Sequence, residues 1–176
     1  MCRISLIAMA QAMKSVKEMS LAQKEKIADE IFHAQPHMLG SVLVLQKFGV
    51  SMEKMEFAIE LLIVCFVAMK ESGLTWPVIT EDDQELQLQL YTTTVGLGED
   101  LSPSLRDRLM QQYVDNHPEK NLCAYVWSET ANWLRGIVPE ESDRYVMLVV
   151  INLVNCIAYV PMSNSGKPAR RREKSA

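Results

Sequence analysis

Histidine, cysteine and two asparagines set in an apolar run are the side chains of this sequence with the most chemical reach. Glu30-x-x-His33 has the spacing of half a carboxylate-bridged di-metal site, where Glu and His project from one helix face toward a metal pair. A complete site needs a second such pair and two further inward carboxylates. His117 is preceded at that spacing by Val114, and Pro36 interrupts the helix that would align His33 with His37. Zinc would also want Cys or carboxylate partners at set spacing. The expectation is no metal and no cofactor, with His33 and His37 as surface or boundary residues.

Four cysteines are present: Cys2, Cys65, Cys123 and Cys156. None belongs to a CxxC or CxxH arrangement, and three lie inside apolar helical patterns, where a thiol acts as a small hydrophobe. Disulfide frameworks are denser and set in loops, so the expected setting is reducing and cytoplasmic. Nucleophilic catalysis needs an activated nucleophile beside a base. No G-x-S-x-G occurs, and Gly96-Leu97-Gly98 lacks the G-K-[ST] ending and the preceding strand of a phosphate loop. No catalytic residue is assigned, and an enzyme is the less favoured reading.

Tyr145 to Val160, YVMLVVINLVNCIAYV, is the most apolar stretch, with Asn152 and Asn155 as its clearly polar side chains. Crossing a bilayer takes about 20 apolar residues; this run is shorter and interrupted, so it is expected to be a buried helix and not an anchor. At helical spacing Leu148, Asn152, Asn155 and Tyr159 make a narrow seam. The plain expectation is that neighbouring backbone satisfies the two amides inside the bundle. The sharper one is that the seam lines a pocket or an interface. Trp127 shares a core-facing stripe with Ala124, Ala131, Leu134 and Val138, whereas Trp133 points elsewhere and is a candidate exposed anchor. The candidate pocket or interface residues are therefore Asn152, Asn155, Tyr159 and Trp133. Eleven methionines add adaptable packing material.

The formal charge of −4 is uneven. Lys167, Arg170, Arg171, Arg172 and Lys174 crowd the end of the chain with one acid, Glu173, so the body is more acidic than the total. Nucleic-acid binding by the folded body is unexpected for that reason. VLVLQKFGVSMEKMEFAIELL faintly resembles helix-turn-helix, but Glu53, Glu56 and Glu60 would repel phosphates and Lys54 alone does not reverse that. The basic tail can bind an acidic partner, an anionic membrane surface or nucleic acid, or serve only for solubility.

The elements that must position these residues are helices. Gly and Pro fall mostly between apolar runs, which reads as an all-α, single-domain bundle of about seven to eight helices over residues 1–162, followed by a disordered basic tail at 163–176. Ser20 opens a helix that Pro36 ends; a third runs from about His37 to Phe48 with Gly49 as its stop. Ser51 caps a long helix that is apolar all round from Leu61 to Met69. Thr80 and Asp83 have capping-box spacing, yet Leu86, Leu88 and Leu90 alternate as in a strand; the choice is helix to about Val95. Gly96, Gly98 and Asp100 form a loop, Ser102-Pro103 starts the next helix, and Asn116-His117-Pro118 breaks the chain. Asn121 to Gly136 is a further helix, and Pro139-Glu140-Glu141 opens the last. MCRISLIAMAQAM has a short apolar core for a signal peptide and runs into a helical pattern; residues 1–19 are expected as a peripheral helix, a weak signal or a segment upstream of a later start at Met9, Met13 or Met19.

The function expected is a non-enzymatic, cytoplasmic protein-binding module working through a helical surface, with another protein or a second copy as partner. The alternatives are an enzyme or ligand carrier with a pocket near Asn152 and Asn155, and a regulator that binds nucleic acid through the tail.

Overall fold

Serine side chains start three of the helices. Ser5 Oγ accepts from the Ala8 N–H, Ser51 Oγ from the Lys54 N–H, and Ser20 forms a reciprocal capping box with Gln23. The computed structural model describes residues 2–96 and 102–162. Among them are eight α-helices, no strand and one 3₁₀ segment. The helices are α1 (Leu6–Glu18), α2 (Leu21–Ala34), α3 (Pro36–Leu43), α4 (Met52–Glu71), α5 (Glu81–Gly96), α6 (Pro103–Asn116), α7 (Lys120–Gly136) and α8 (Asp143–Tyr159). The 3₁₀ segment, Val44–Phe48, tightens the end of α3. Gly49 stops it with φ of 79°, a left-handed conformation that glycine adopts without a Cβ penalty.

The all-helical bundle is as the sequence pattern implies, including helix where the alternating leucines resembled a strand. Thr80 and Asp83 make the expected reciprocal cap at the start of α5: Thr80 N–H to Asp83 Oδ2 at 2.9 Å and Asp83 N–H to Thr80 Oγ1 at 3.2 Å. Those bonds hold the Asp83 carboxyl below its usual value. Gly96 closes α5 instead of opening a loop, while Gly98 and Asp100 lie outside the described residues. The last helix starts at Asp143, later than Pro139-Glu140-Glu141 suggested.

The core is α4 against α8. Every residue from Leu61 to Met69, and every one from Val150 to Ala158, is buried. Each fully buried Leu, Ile, Val or Phe contributes about 1.5–3 kcal/mol. On one side of this pair α1 lies along α4, and α2 and α3 complete the cover; α7 touches α1, α4 and α8. α5 lies on α8, and α6 on α7. The first residues are not peripheral: Ile4, Ala8, Met9, Ala12 and Val16 belong to the core. No helix among the described residues is long and apolar enough to cross a membrane.

Lys54, weighed from the sequence only as a lone positive charge among Glu53, Glu56 and Glu60, is bound inside the bundle. It is 8% exposed, and its Nζ donates to Asp143 at 2.6 Å, Glu140 at 2.9 Å and the Val138 carbonyl at 3.2 Å. Burial works to lower its pKa; the bonds to Asp143 and Glu140 outweigh this and hold it above the ordinary lysine value. The ammonium thereby ties the start of α4 to the turn before α8.

Candidate functional site

The polar seam of α8 is covered from two directions. α5 lies over Asn152, and the junction of α6 and α7 meets Asn155. α5 is aimed there by Gln35, a buried residue at the end of α2. Its side-chain amide donates to the Pro77 carbonyl at 2.7 Å and accepts from the Ile79 N–H at 2.9 Å, fixing the strand of chain that enters α5.

Asn152 donates through Nδ2 to the Gln84 carbonyl at 3.0 Å, a neighbouring backbone group as expected. Its Oδ1 is buried with no partner, and so is the Nε2 of Gln84 on the facing helix. A buried donor or acceptor left unmade costs about 1–3 kcal/mol. Asn155 is satisfied by side chains and not by backbone: its Oδ1 accepts from the Tyr113 hydroxyl at 2.5 Å and from His117 Nε2 at 3.1 Å.

His117 is 5% exposed, and its Nδ1 accepts from the Glu119 N–H at 3.1 Å. An accepting Nδ1 puts the ring proton on Nε2, which therefore donates to Asn155; the ring is neutral. Burial lowers its pKa below 6.5, against smaller opposing contributions from Asn155 and Glu119. Tyr159 meets the His117 ring edge-on, 5.9 Å between centroids, and is half exposed. Tyr113 reaches across to Tyr91 of α5, 5.7 Å between centroids, and burial raises both phenols.

Two residues beyond His117, Glu119 is 1% exposed and holds the beginning of the described chain. Its Oε1 accepts from the Arg3 N–H at 2.7 Å and its Oε2 from the Ile4 N–H at 3.1 Å. The Arg3 guanidinium in turn donates to the Ile157 and Val160 carbonyls, at 3.2 and 2.8 Å, where α8 leaves its last acceptors free. Sequence reasoning weighed His117 only as a metal ligand, passed over Glu119 and read their stretch as a break. The pattern that marks it is a His-Pro-Glu run at a helix start, where a carboxylate is favourable.

Asn152, Asn155 and Tyr159 thus come together. Trp133 does not join them: it is half-buried on α7 and stacks flat on Phe57 of α4, 4.6 Å between centroids. The buried stripe of α7 is Leu122, Cys123, Val126 and Thr130, while Ala124 is exposed and Val138 is 80% exposed. His33 is exposed; His37 faces Glu81 at 3.3 Å. The tail residues Lys167, Arg170, Arg171, Arg172 and Lys174 lie outside the described residues.

Chemically, the seam is bonded within the chain except at Asn152 Oδ1 and Gln84 Nε2, and the thiols are passive: burial pushes Cys65, Cys123 and Cys156 up to about 12. Among the described residues no group of three or more His, Cys, Asp and Glu can hold a metal ion. Two hollows, about 570 and 550 Å³, open on α2 and between α1 and α2, away from the seam. No family model, curated protein or solved structure matches this chain.

Proposed function

We propose that this is a non-enzymatic cytoplasmic protein-binding module, of the adaptor, chaperone-like or inhibitor kind, that docks a helix of another protein on the outer surface of α5 and α6. One observation carries the reading: these two helices bury almost nothing within the chain. Among the described side chains none of α5 is buried, and in α6 only Val114 is, at 8% exposure. Leu86 and Leu90 on α5 are 54% and 55% exposed, and Leu105 and Leu109 on α6 are 39% and 43% exposed. Each pair has i, i+4 spacing and so shares a helix face. Helices of this length draw most of their stability from a packed apolar face, and a second protein can supply what the chain does not.

Glu81, Asp82 and Glu85 are exposed on the same α5. The partner helix that suits this surface carries leucine-like residues at i, i+4 spacing flanked by Lys or Arg. The seam favours this reading over a ligand carrier, because Gln84, Tyr113 and His117 occupy the places a ligand of Asn152 and Asn155 would take. Three buried free thiols support a reducing compartment.

The test is affinity capture with wild type and with a Leu86→Glu, Leu90→Glu double variant whose helicity matches wild type by circular dichroism. A protein captured in stoichiometric amount by wild type and lost by the variant supports the proposal. Identical capture by both, or none by either, overturns it.

A further inference from the structure

We infer that α5 is a lid on the polar seam of α8, hinged at Ile79–Thr80, which opens while the rest of the bundle stays folded. Its inner face is Asp83, Gln84, Gln87, Leu88 and Tyr91, each only partly buried. Beneath it the α5–α8 contact contains a buried, unpaired donor, Gln84 Nε2, and a buried, unpaired acceptor, Asn152 Oδ1. Water would satisfy both on opening, so the docked state forgoes hydrogen bonds that the open state makes.

The hinge is set by what is held and what is not. Ile79 is 0% exposed and its N–H is bound by Gln35, which anchors the chain immediately before α5. The reciprocal Thr80–Asp83 cap keeps the helix intact as it swings. Past that point the side-chain ties among the described residues are the bond from Asn152 to the Gln84 carbonyl, the exposed His37–Glu81 contact beside the hinge and the Tyr91–Tyr113 edge contact. Sub-global openings are drawn from elements with few buried apolar contacts, which separates α5 from α4 and α8. Opening uncovers Asn152, the ring of Tyr113 and the thiol of Cys156, four residues on from Asn152 and so on the same face of α8. This inference is independent of any partner on Leu86 and Leu90.

Natural cysteines make the test. Cys156 and Cys65 are 1% and 0% exposed; Cys156 follows Asn152 by four residues and so shares the α8 face that α5 covers, while Cys65 is in α4. The full chain is alkylated with iodoacetamide under native conditions, and labelling at each cysteine is followed by peptide mass spectrometry across low denaturant concentrations. Cys156 is expected to label at least about tenfold faster than Cys65, with a shallow denaturant dependence, while Cys65 follows global unfolding. Gln84→Leu removes the unpaired donor and is expected to slow Cys156 labelling while leaving Cys65 unchanged. Equal rates with equal denaturant dependence at the two thiols overturn the lid. Unchanged or faster Cys156 labelling in Gln84→Leu overturns the unpaired amides as its cause.

Discussion

α8 meets α4 on one side and α5 on the other, and the two contacts are made of different material. Toward α4 the helix presents Val150, Leu153, Val154 and Ile157, each no more than 2% exposed. Toward α5 and the α6–α7 junction it presents two asparagines, one satisfied by a tyrosine and a histidine and the other half satisfied. The apolar side is non-directional and tolerates small shifts. The polar side depends on distances within a few tenths of an ångström. One helix therefore supplies both the permanent centre of the molecule and a contact that can be exchanged.

The comparison breaks or sharpens under substitution. The largest effect is expected at Leu153→Ala, a loss of about 2–5 kcal/mol by urea denaturation, because the site is fully packed. A loss below about 1 kcal/mol would mean that the α4–α8 contact is less central than its burial implies. Glu119→Ala is expected to cost about 1.5–3 kcal/mol, since it deprives one buried and one part-buried N–H group of their carboxylate acceptor. Next comes His117. Its pKa is lower folded than unfolded, so the unfolded chain binds a proton more readily. Stability from the neutral ring is complete above 6.5 and is lost as pH falls below 6.5. Denaturation midpoints between 6.5 and about 5, above the carboxylate range, should fall in wild type and stay level in His117→Gln; parallel curves would remove His117 from the polar contact. The smallest effect is expected on the lid: Leu86→Ala should change stability by no more than about 0.5 kcal/mol. A larger loss would show that α5 packs more tightly than its exposure indicates.

The fold was legible because its centre is almost wholly apolar. Leu61–Met69 has no polar face to turn outward and Val150–Ala158 has only its two asparagines, and the caps at Ser20, Ser51 and Thr80 are local in sequence. The Asn152–Asn155–Tyr159 seam was legible from spacing alone. Its partners were not, because His117 is 38 residues from Asn155, and Gln84 is 68 from Asn152. The partners of Lys54 were hidden for the same reason: its carboxylate Asp143 lies 89 residues away. Trp133 was read as outward because the stripe chosen for α7 was rotated from the buried one, and nothing local identifies Phe57 as its stacking partner.

Arg3 has a consequence for the order in which the molecule assembles. Its guanidinium binds carbonyls 154 and 157 residues along the chain, and its N–H binds a carboxylate 116 residues along. Contacts across such separations reward the chain only after the intervening loops have been closed. The α1–α4 and α2–α3 pairings are far more local and can precede them. Arg3 and Glu119 thus act as a late fastener: they add little to the speed of folding and most of their effect to the barrier that the finished protein must climb to come apart.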